Sequence, residues 1–214
     1  MPIRPYEPAD RSAVRSICYR TGYMGQPIAR LWRDEPSFAD LFSGYYTDRE
    51  PESLLVAERD GAVVGYLLGC LDSRRPPHML RVVAPHALRR GLLVRPGTAG
   101  FMWRSMRDIA VDAARHGAPA DRVLDPRWPA HLHINLLPEA RGAGLGGQLV
   151  RRWLDMVRAA GLPGCHLETL GENHAGIAFF EAVGFARHGD PHPVPGMRTL
   201  DGARNHVQLM VQPL

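Results

Sequence analysis

The chain has 214 residues, of which 45% are hydrophobic and 22% charged, so it is long enough for one well-buried domain and its composition does not indicate disorder. Its net charge of +4 comes almost wholly from arginine and suits a site for an anionic ligand, but the lack of a dense basic run argues against a nucleic acid as partner. No stretch approaches the length of a membrane span, and the N-terminus lacks the apolar core of a signal peptide.

Three cysteines, Cys18, Cys70 and Cys165, lie far apart along the chain. An odd number of distant cysteines is compatible with a reducing compartment and does not indicate a disulfide framework. We therefore predict a cytoplasmic protein that contacts no membrane and whose cysteines are small buried hydrophobic residues.

The first third of the chain predicts the element order β-α-α-β-β. Alternating apolar residues indicate strands, and apolar residues at helical spacing indicate helices. In order, these are a strand over 3–6, a helix from Pro8 to about Gly22, a helix around 38–46, and strands over 53–59 and 62–71 that are joined by a hairpin turn at Arg59-Asp60-Gly61.

Residues 72–128 form a long connection before the next predicted strand. The segment begins with Asp72-Ser-Arg-Arg-Pro-Pro and contains a helical pattern around 102–114. A connection of this length inside a compact domain is usually functional. Two interpretations stay open, namely a lid or tunnel wall over a ligand, and a helical excursion that covers one edge of the sheet.

The stretch from His131 to Val150 combines a strand, a glycine-rich turn and a helix. In the strand, the side chains of His131, His133 and Asn135 share one face, and Pro138 ends it. An amphipathic helix follows four glycines, Gly142, Gly144, Gly146 and Gly147. The first N–H groups of a helix have no internal partner and lie at its positive dipole end, so this stretch predicts a phosphate site.

Two ligands fit a glycine-rich phosphate site, and one of them is a dinucleotide. Gly142, Gly144 and Gly147 satisfy the spacing G-x-G-x-x-G, and Glu168 lies downstream as a possible ribose ligand. The dinucleotide turn, however, directly follows its strand, whereas residues 138–141 intervene here. Too little chain remains after the motif for a doubly wound sheet, so the dinucleotide interpretation is disfavoured.

A strand over 165–170 follows the glycine-rich helix. The tail from Arg187 contains several prolines and is predicted to be a loop, and residues 204–211 are predicted to form a last strand.

Two of these segments resemble the signatures of the GNAT superfamily of acyl-CoA N-acyltransferases. Arg141-Gly-Ala-Gly144-Leu-Gly146 resembles its pyrophosphate loop, and residues 173–185 are similar to its second signature. The resemblance implies one α/β domain over 1–214 with a mixed central sheet flanked by helices, and with 72–128 as an insertion. It also implies acetyl-CoA as cosubstrate, without a metal, and a primary amine of a small molecule or a protein lysine as acceptor. It leaves the oligomeric state open.

The insertion together with Trp128-Pro-Ala-His-Leu-His-Ile-Asn-Leu136 is similar to the acetyltransferase-like domain of O-GlcNAcase and its bacterial relatives. In that subfamily a long loop deepens the acetyl-CoA channel, and some members have lost acetyl-CoA binding. This chain keeps Arg141 and the glycines, so we expect it to retain binding.

The resemblance also implies which residues hold acetyl-CoA. Asn173 matches a position that holds the pantetheine arm, although an asparagine there is an equally good helix N-cap. Phe180 replaces a tyrosine that frequently protonates the leaving thiolate, so a non-catalytic binding module is the alternative function. Other possible acids are Tyr19, Tyr23, Tyr45 and Tyr46. The implied cofactor-binding residues are Ile134, Asn135, Leu136, Arg141, Gly142, Ala143, Gly144, Leu145, Gly146, Asn173 and Phe180.

Glu168 and His133 are the candidate catalytic residues. Glu168 resembles the position of a general base in several family members, although it also fits a solvated strand residue. His133 is a candidate base or polar contact for the acceptor. A metal site with His131 and His166 is conceivable, but no carboxylate or cysteine completes it, so we predict no metal.

Overall fold

The computed structural model describes residues 2–117 and 123–214, which form a seven-stranded mixed sheet flanked by helices. The strand order is β1-β2-β3-β4-β5-β7-β6, and within the described residues only β4 and β5 pair in parallel. The strands are β1 Ile3–Pro5, β2 Leu54–Arg59, β3 Ala62–Cys70, β4 Ala130–Leu136, β5 Gly164–Leu170, β6 Ala186–Arg198 and β7 Arg204–Pro213.

Helices cover both faces of the sheet. In chain order they are α1 Arg11–Thr21, α2 Glu35–Ala39, α3 Tyr45–Arg49, α4 Met79–Arg89, α5 Ala99–His116, α6 Leu145–Ala159 and α7 His174–Ala182. The element order of the first third is as predicted. None of the helices in the described ranges has the length and apolar character needed to cross a bilayer.

The helix predicted around 38–46 is in fact three consecutive segments. It begins at Glu35, because the side chain of Asp34 caps it by accepting a hydrogen bond from the Ser37 N–H. Helices α2 and α3 are joined by a π-helical turn, Asp40–Gly44. Such turns occur frequently at functional sites, and this one lines the cavity described below.

Two apolar cores lie on opposite faces of the sheet, because alternate strand residues point to opposite sides. Helices α6 and α7 cover one core, in which Trp153 is fully buried beside Leu132. Trp153 reaches the sheet only because residue 69 is glycine, since a Cβ there would overlap the indole ring. The other core includes Tyr66 and Leu68, and lies under the N-terminal helices and the insertion.

The insertion packs against this second core and against strand β6. Buried Asp34 accepts hydrogen bonds from Arg90 at 2.6 and 2.9 Å, which holds the end of α4 against α2. Asp108 of α5 binds the Gly196 N–H at 2.9 Å and Arg198 at 2.6 Å. Of the two helices in the insertion, the sequence predicts α5 but not α4. Helix α4 contains a proline and has no buried residue, so its sequence signal is weak.

The prediction of a loop after Arg187 is wrong, because residues 186–198 form strand β6. Proline is excluded from central strands since it cannot donate to the ladder, but an edge strand tolerates it. Strand β6 is an edge strand, and its pairing with β7 is interrupted between His188 and His192 and again between Pro193 and Arg198. The prolines Pro191, Pro193 and Pro195 lie in or next to these irregular stretches.

Candidate active site

Strands β4 and β5 part shortly after they begin. Their pairing consists of Ala130 with Cys165 and His131 with His166, and then stops. The outer edge of β4 stays paired with β3, and that of β5 stays paired with β7. The gap between β4 from Leu132 onward and β5 from Leu167 onward is here called the slot. The two strand edges that border it have no strand partner among the described residues. The GNAT resemblance implies such a slot.

The glycine-rich loop lies at the end of β4 and begins helix α6. Gly142 and Gly144 have φ values of 76° and 74°, which favour glycine, and Gly144 is the N-cap. A Cβ at Gly142 would meet no atom within 4 Å. In the described part of the chain, no backbone N–H from Gly142 to Gly147 donates to a protein acceptor. Amides without an internal partner at the positive end of a helix dipole are suited to bind an anion.

Arg141 uses its side chain within the protein. Its guanidinium donates to the Leu136 carbonyl at 2.9 and 3.1 Å and to the Gly25 carbonyl at 2.7 Å. The side chain therefore ties the glycine-rich loop to the end of β4 and to the turn that follows α1.

Asn173 is the N-cap of α7. Its Oδ1 accepts from the Gly176 N–H at 3.1 Å, and its Nδ2 donates to Thr169 Oγ1 at 3.3 Å. Phe180 is only 8% exposed and packs on Phe179 and Phe185, with ring centroids at 5.1 and 6.1 Å. Its ring is thus part of the apolar core under α7.

The side chain of Asn135 is bonded within the protein and does not line the cavity. Its Oδ1 accepts from the Tyr66 hydroxyl at 3.1 Å, and its Nδ2 donates to Thr21 Oγ1 at 2.7 Å. These bonds join β4 to β3 and to the end of α1. The side chain is therefore structural, whereas the Asn135 backbone borders the slot.

A cavity of about 480 Å³ lies where the two strands part. Leu132 and His133 of β4 and Leu167 and Glu168 of β5 form its floor. Val123, His131 and His166 also line it, and the rest of the wall comes from two segments that are distant in sequence, the π turn with α3 and the start of the insertion. From these segments it is lined by Asp40, Leu41, Phe42, Gly44, Tyr45, Tyr46, Asp48, Arg49, Ser73, Pro76, Pro77, Met79 and Val82.

Two of the three clustered histidines are engaged by the protein. His131 Nε2 lies 2.7 Å from the Tyr46 hydroxyl, and its Nδ1 lies 2.7 Å from Ser73 Oγ. His166 Nδ1 donates to the Trp128 carbonyl at 2.7 Å. Burial, with a smaller contribution from the neighbouring histidines, holds the pKa of His131 well below its usual value. Within residues 2–117 and 123–214, no group of three or more potential metal ligands is present.

His133 differs from its two neighbours because its ring nitrogens are available to a ligand. Its ring makes edge contacts with Tyr46 and His131, with centroids at 5.6 Å in both cases. Neither nitrogen has a hydrogen-bond partner among the described residues, and the residue lines the cavity. Burial, and then the charge of His166, lower the pKa of His133 to about 4. The imidazole is therefore neutral at pH 7 and can accept a hydrogen bond.

Glu168 faces the same cavity from β5. Its side chain is 40% exposed, and its nearest ionic neighbour is His192 Nε2 at 4.0 Å. The surrounding walls raise the pKa of Glu168, and the nearby His192 partly offsets this effect. A carboxylate with a raised pKa that is open to a cavity suits the transfer of a proton from a ligand.

Of the four tyrosines proposed as alternative acids, Tyr45 and Tyr46 lie at the cavity. Tyr19 packs on Phe38 in the N-terminal core, and the Tyr23 hydroxyl donates to Asn205. The cavity-lining parts of the π turn and the insertion have no motif. The only hint of them in the sequence is the density of aromatic residues in 23–50 and the length of the insertion.

Comparisons with known proteins agree with this architecture. The sequence model of the acetyltransferase (GNAT) family matches residues 103–185. A mycothiol acetyltransferase of Nocardiopsis dassonvillei is 45% identical over 94 residues. The aligned part is 42% of this chain but only 24% of that protein, so the similarity concerns about a quarter of the relative's length.

Solved structures match over the whole chain. The structure of SsHAT is 27% identical, with a TM-score of 0.66, and the match covers 99% of this chain and 97% of that one. A putative acetyltransferase of Salmonella typhimurium with its cofactor acetyl-CoA is 19% identical, with a TM-score of 0.60 and coverages of 100% and 93%. A phosphinothricin acetyltransferase of Sinorhizobium meliloti in complex with acetyl-CoA has the same identity and TM-score, with coverages of 100% and 88%. The chain has the GNAT acyltransferase fold, and its residues 103–185 are similar in sequence to the acetyltransferase (GNAT) family.

Proposed function

We propose that the chain is an acetyl-CoA-dependent N-acetyltransferase that transfers acetyl to a primary amine. One observation carries the proposal, namely that the unpaired amides of the glycine-rich loop and the cavity with His133 and Glu168 lie at opposite ends of one slot. Along β4, Leu136 and His133 are separated by about 10 Å. A flexible arm that joins an anionic group to a reactive carbonyl can occupy this distance.

In this proposal the backbone does most of the cofactor binding. The amides of Gly142, Ala143, Gly144, Leu145 and Gly146 hold the diphosphate, and Arg141 positions their loop through its bonds to Leu136 and Gly25. The unpaired edge formed by Ile134, Asn135 and Leu136 binds the amides of the pantetheine arm. Asn173 keeps its cap and can contact the arm only through its remaining hydrogen-bonding capacity.

The two candidate catalytic residues divide the work according to their pKa values. A primary amine with a pKa near 10 must lose a proton before it attacks. Glu168, with its raised pKa, takes this proton, directly or through water. His133, with a pKa of about 4, is a weak base, and it holds the neutral amine by accepting an N–H bond. The nitrogen then forms a bond to the acetyl carbon, and the carbon–sulfur bond breaks.

The leaving thiolate needs a proton from a source other than residue 180. Phe180 has no hydroxyl and its ring is packed in the core. A thiol has a pKa of about 8.5, so the thiolate leaves near neutral pH and takes a proton from water.

The test is the pH dependence of kcat/KM for the release of the CoA thiol with a panel of amines. We expect an acidic limb with an apparent pKa above the usual range of glutamate, and we expect Glu168→Gln to remove this limb and to lower kcat/KM about 100-fold. Glu52→Gln is the control, because Glu52 is exposed and does not line the cavity. An unchanged pH profile in Glu168→Gln contradicts the assigned role.

The alternative function is a binding module without catalysis, which the phenylalanine at position 180 favours. Calorimetric titration with acetyl-CoA, CoA and NAD, together with the amine panel, separates the possibilities. Binding of acetyl-CoA without thiol release supports the module, and binding of NAD alone supports a dinucleotide enzyme. The chain contains no lysine, so acetylation of its own lysine side chains cannot contribute to the signal.

We further propose the finer kinship with the O-GlcNAcase acetyltransferase-like domain and a cytoplasmic location. The long helical insertion between β3 and β4 supports the first proposal, and the free, buried Cys18, Cys70 and Cys165 agree with the second. We also propose that the chain is one domain over 1–214, in which the insertion 72–128 walls the cavity.

A further inference from the structure

The cavity walls specify what kind of amine the enzyme accepts. Resting on the function proposed above, we infer that the acceptor is a primary monoamine on an apolar body, such as an arylalkylamine or a long alkylamine. Polyamines, aminosugars and basic peptide tails do not match the cavity. Three features of the described residues carry this inference. They are the apolar side chains of the walls, the ion pairs of the charged residues, and the anchoring of the insertion that supplies one wall.

Apolar side chains make up much of the cavity wall. Phe42 of the π turn and Met79 of α4 both line the cavity, and they are 38% and 50% exposed in the free protein. Leu41, Pro76, Pro77 and Val82 complete the walls. Large apolar side chains that are left open to water in a concave site gain most when an apolar ligand covers them. The hydroxyl groups of a sugar would lose water there without gaining hydrogen bonds.

Among the described residues, the cavity offers one carboxylate that is not paired with an arginine. Asp40 is paired with Arg15, and Asp48 with Arg11 at 3.0 Å. Glu168 is thus the cavity carboxylate without an arginine partner among the described residues. Arg49, which also lines the cavity, has no carboxylate partner within that part of the chain. A second positive charge on the ligand would therefore meet paired carboxylates and an open guanidinium, whereas a single ammonium matches Glu168.

The insertion supplies one side of this apolar wall. Residues 76–82 precede or begin helix α4, and the far end of that helix is held to α2 by the bonds between Arg90 and buried Asp34. The wall is therefore anchored to the same N-terminal helical region that carries the π turn. This arrangement gives the long connection a role in acceptor selection.

The experiment measures kcat/KM at saturating acetyl-CoA for n-butylamine, n-hexylamine, 2-phenylethylamine, spermidine, glucosamine and a lysine peptide. We expect about a fourfold rise for each added methylene, hence roughly 15-fold from butylamine to hexylamine. We expect 2-phenylethylamine to exceed spermidine, glucosamine and the peptide at least tenfold. A flat response to chain length, or a preference for any of these three polar amines, overturns the inference.

A pair of variants on one helix tests the wall directly. Met79→Asp should reduce the rise from butylamine to hexylamine to below threefold and leave the Kd of acetyl-CoA unchanged. Leu88→Asp is the matched control, because Leu88 lies on the same helix, is 86% exposed and does not line the cavity. An equal loss of the chain-length response in both variants contradicts the assigned wall.

Failure of the proposed function gives a different result. In that case no amine releases thiol and acetyl-CoA does not bind in calorimetry. If acetyl-CoA binds but no amine reacts, saturation-transfer NMR of the amines with the CoA complex decides the matter. Selective binding of 2-phenylethylamine supports the inference, whereas selective binding of spermidine, or of no amine, overturns it.

Discussion

The glycine-rich loop provides the sharpest test, through substitutions at the N-cap of α6. Gly144 has a φ of 74°, and a Cβ at this position would meet only the end of Gln148, at 3.9 Å. Alanine, glutamine and glutamate there share the same backbone penalty of about 1–2 kcal/mol. The side chains differ in charge. A carboxylate at a helix N-terminus recovers about 0.3–1 kcal/mol, so Gly144→Glu should be more stable than Gly144→Gln in the absence of ligand.

Binding of acetyl-CoA should show the opposite order. A carboxylate about 4 Å from a phosphate charge is repelled by about 4 kcal/mol at an effective dielectric constant of 20, which corresponds to roughly 10³-fold in affinity. With screening by salt, we expect Gly144→Glu to bind acetyl-CoA about 100-fold more weakly than Gly144→Ala, and Gly144→Gln within about tenfold of it.

The assays are urea denaturation for stability and calorimetry for affinity. Acetyl-pantetheine, which lacks the diphosphate, is the control substrate, and its turnover should not distinguish the glutamate variant at position 144 from the glutamine variant. A glutamate variant that is folded and binds acetyl-CoA within threefold of the alanine variant would refute the proposed diphosphate site at this loop.

Two further predictions concern stability. Gly69→Ala should destabilise the protein by about 1–3 kcal/mol in urea denaturation, because the added Cβ overlaps Trp153. The control Gly100→Ala in α5 should stabilise the protein by about 0.5–1 kcal/mol. Equal effects of the two substitutions would contradict the packing of Trp153 on residue 69. Burial raises the pKa of Asp34, but hydrogen bonds, chiefly from Arg90, outweigh this effect and lower it to about 2. Its contribution of about 2 kcal/mol is therefore present above pH 4 and lost as the pH falls from 4 to 2, so the stability difference between wild type and Asp34→Asn should shrink over that interval and not at higher pH.

The part of the fold that sequence predicts well is the part that local rules determine. Closely spaced glycines followed by an amphipathic run predict the loop and α6 from the sequence. The structure has both, and Gly142 and Gly144 have positive φ values. Strand β6 is mispredicted because tolerance of proline depends on being at the edge of a sheet, which is a property of the whole fold. Helix α4 is missed for a related reason. Pro85 weakens its sequence signal, and the contacts that position the helix, such as the bond from Arg90 to Asp34, are made with residues distant in the sequence.

The histidines show the same limit within the site. His131 and His133 occupy equivalent positions on one strand face, and their neighbours in sequence do not distinguish them. They differ because Tyr46, 85 residues away, and Ser73, 58 residues away, take both nitrogens of His131 and neither of His133. Partners at such distances along the chain cannot be assigned from one sequence, so the free imidazole is identified only in the structure.

This contrast extends to the two halves of the proposed active site. The cofactor half is built from backbone groups, which require glycine at particular positions and therefore leave a motif in the sequence. The acceptor half is built from side chains of the π turn, the insertion and the two parting strands, and an apolar wall accepts many residue types. Changes in residues 41–49 and 76–82 can therefore alter acceptor choice while the loop stays intact. We therefore expect that exchanging these two segments together for those of a relative transfers the amine preference of that relative and leaves the Kd of acetyl-CoA unchanged. A change in that Kd without a change in amine preference would mean that the wall belongs to the cofactor site.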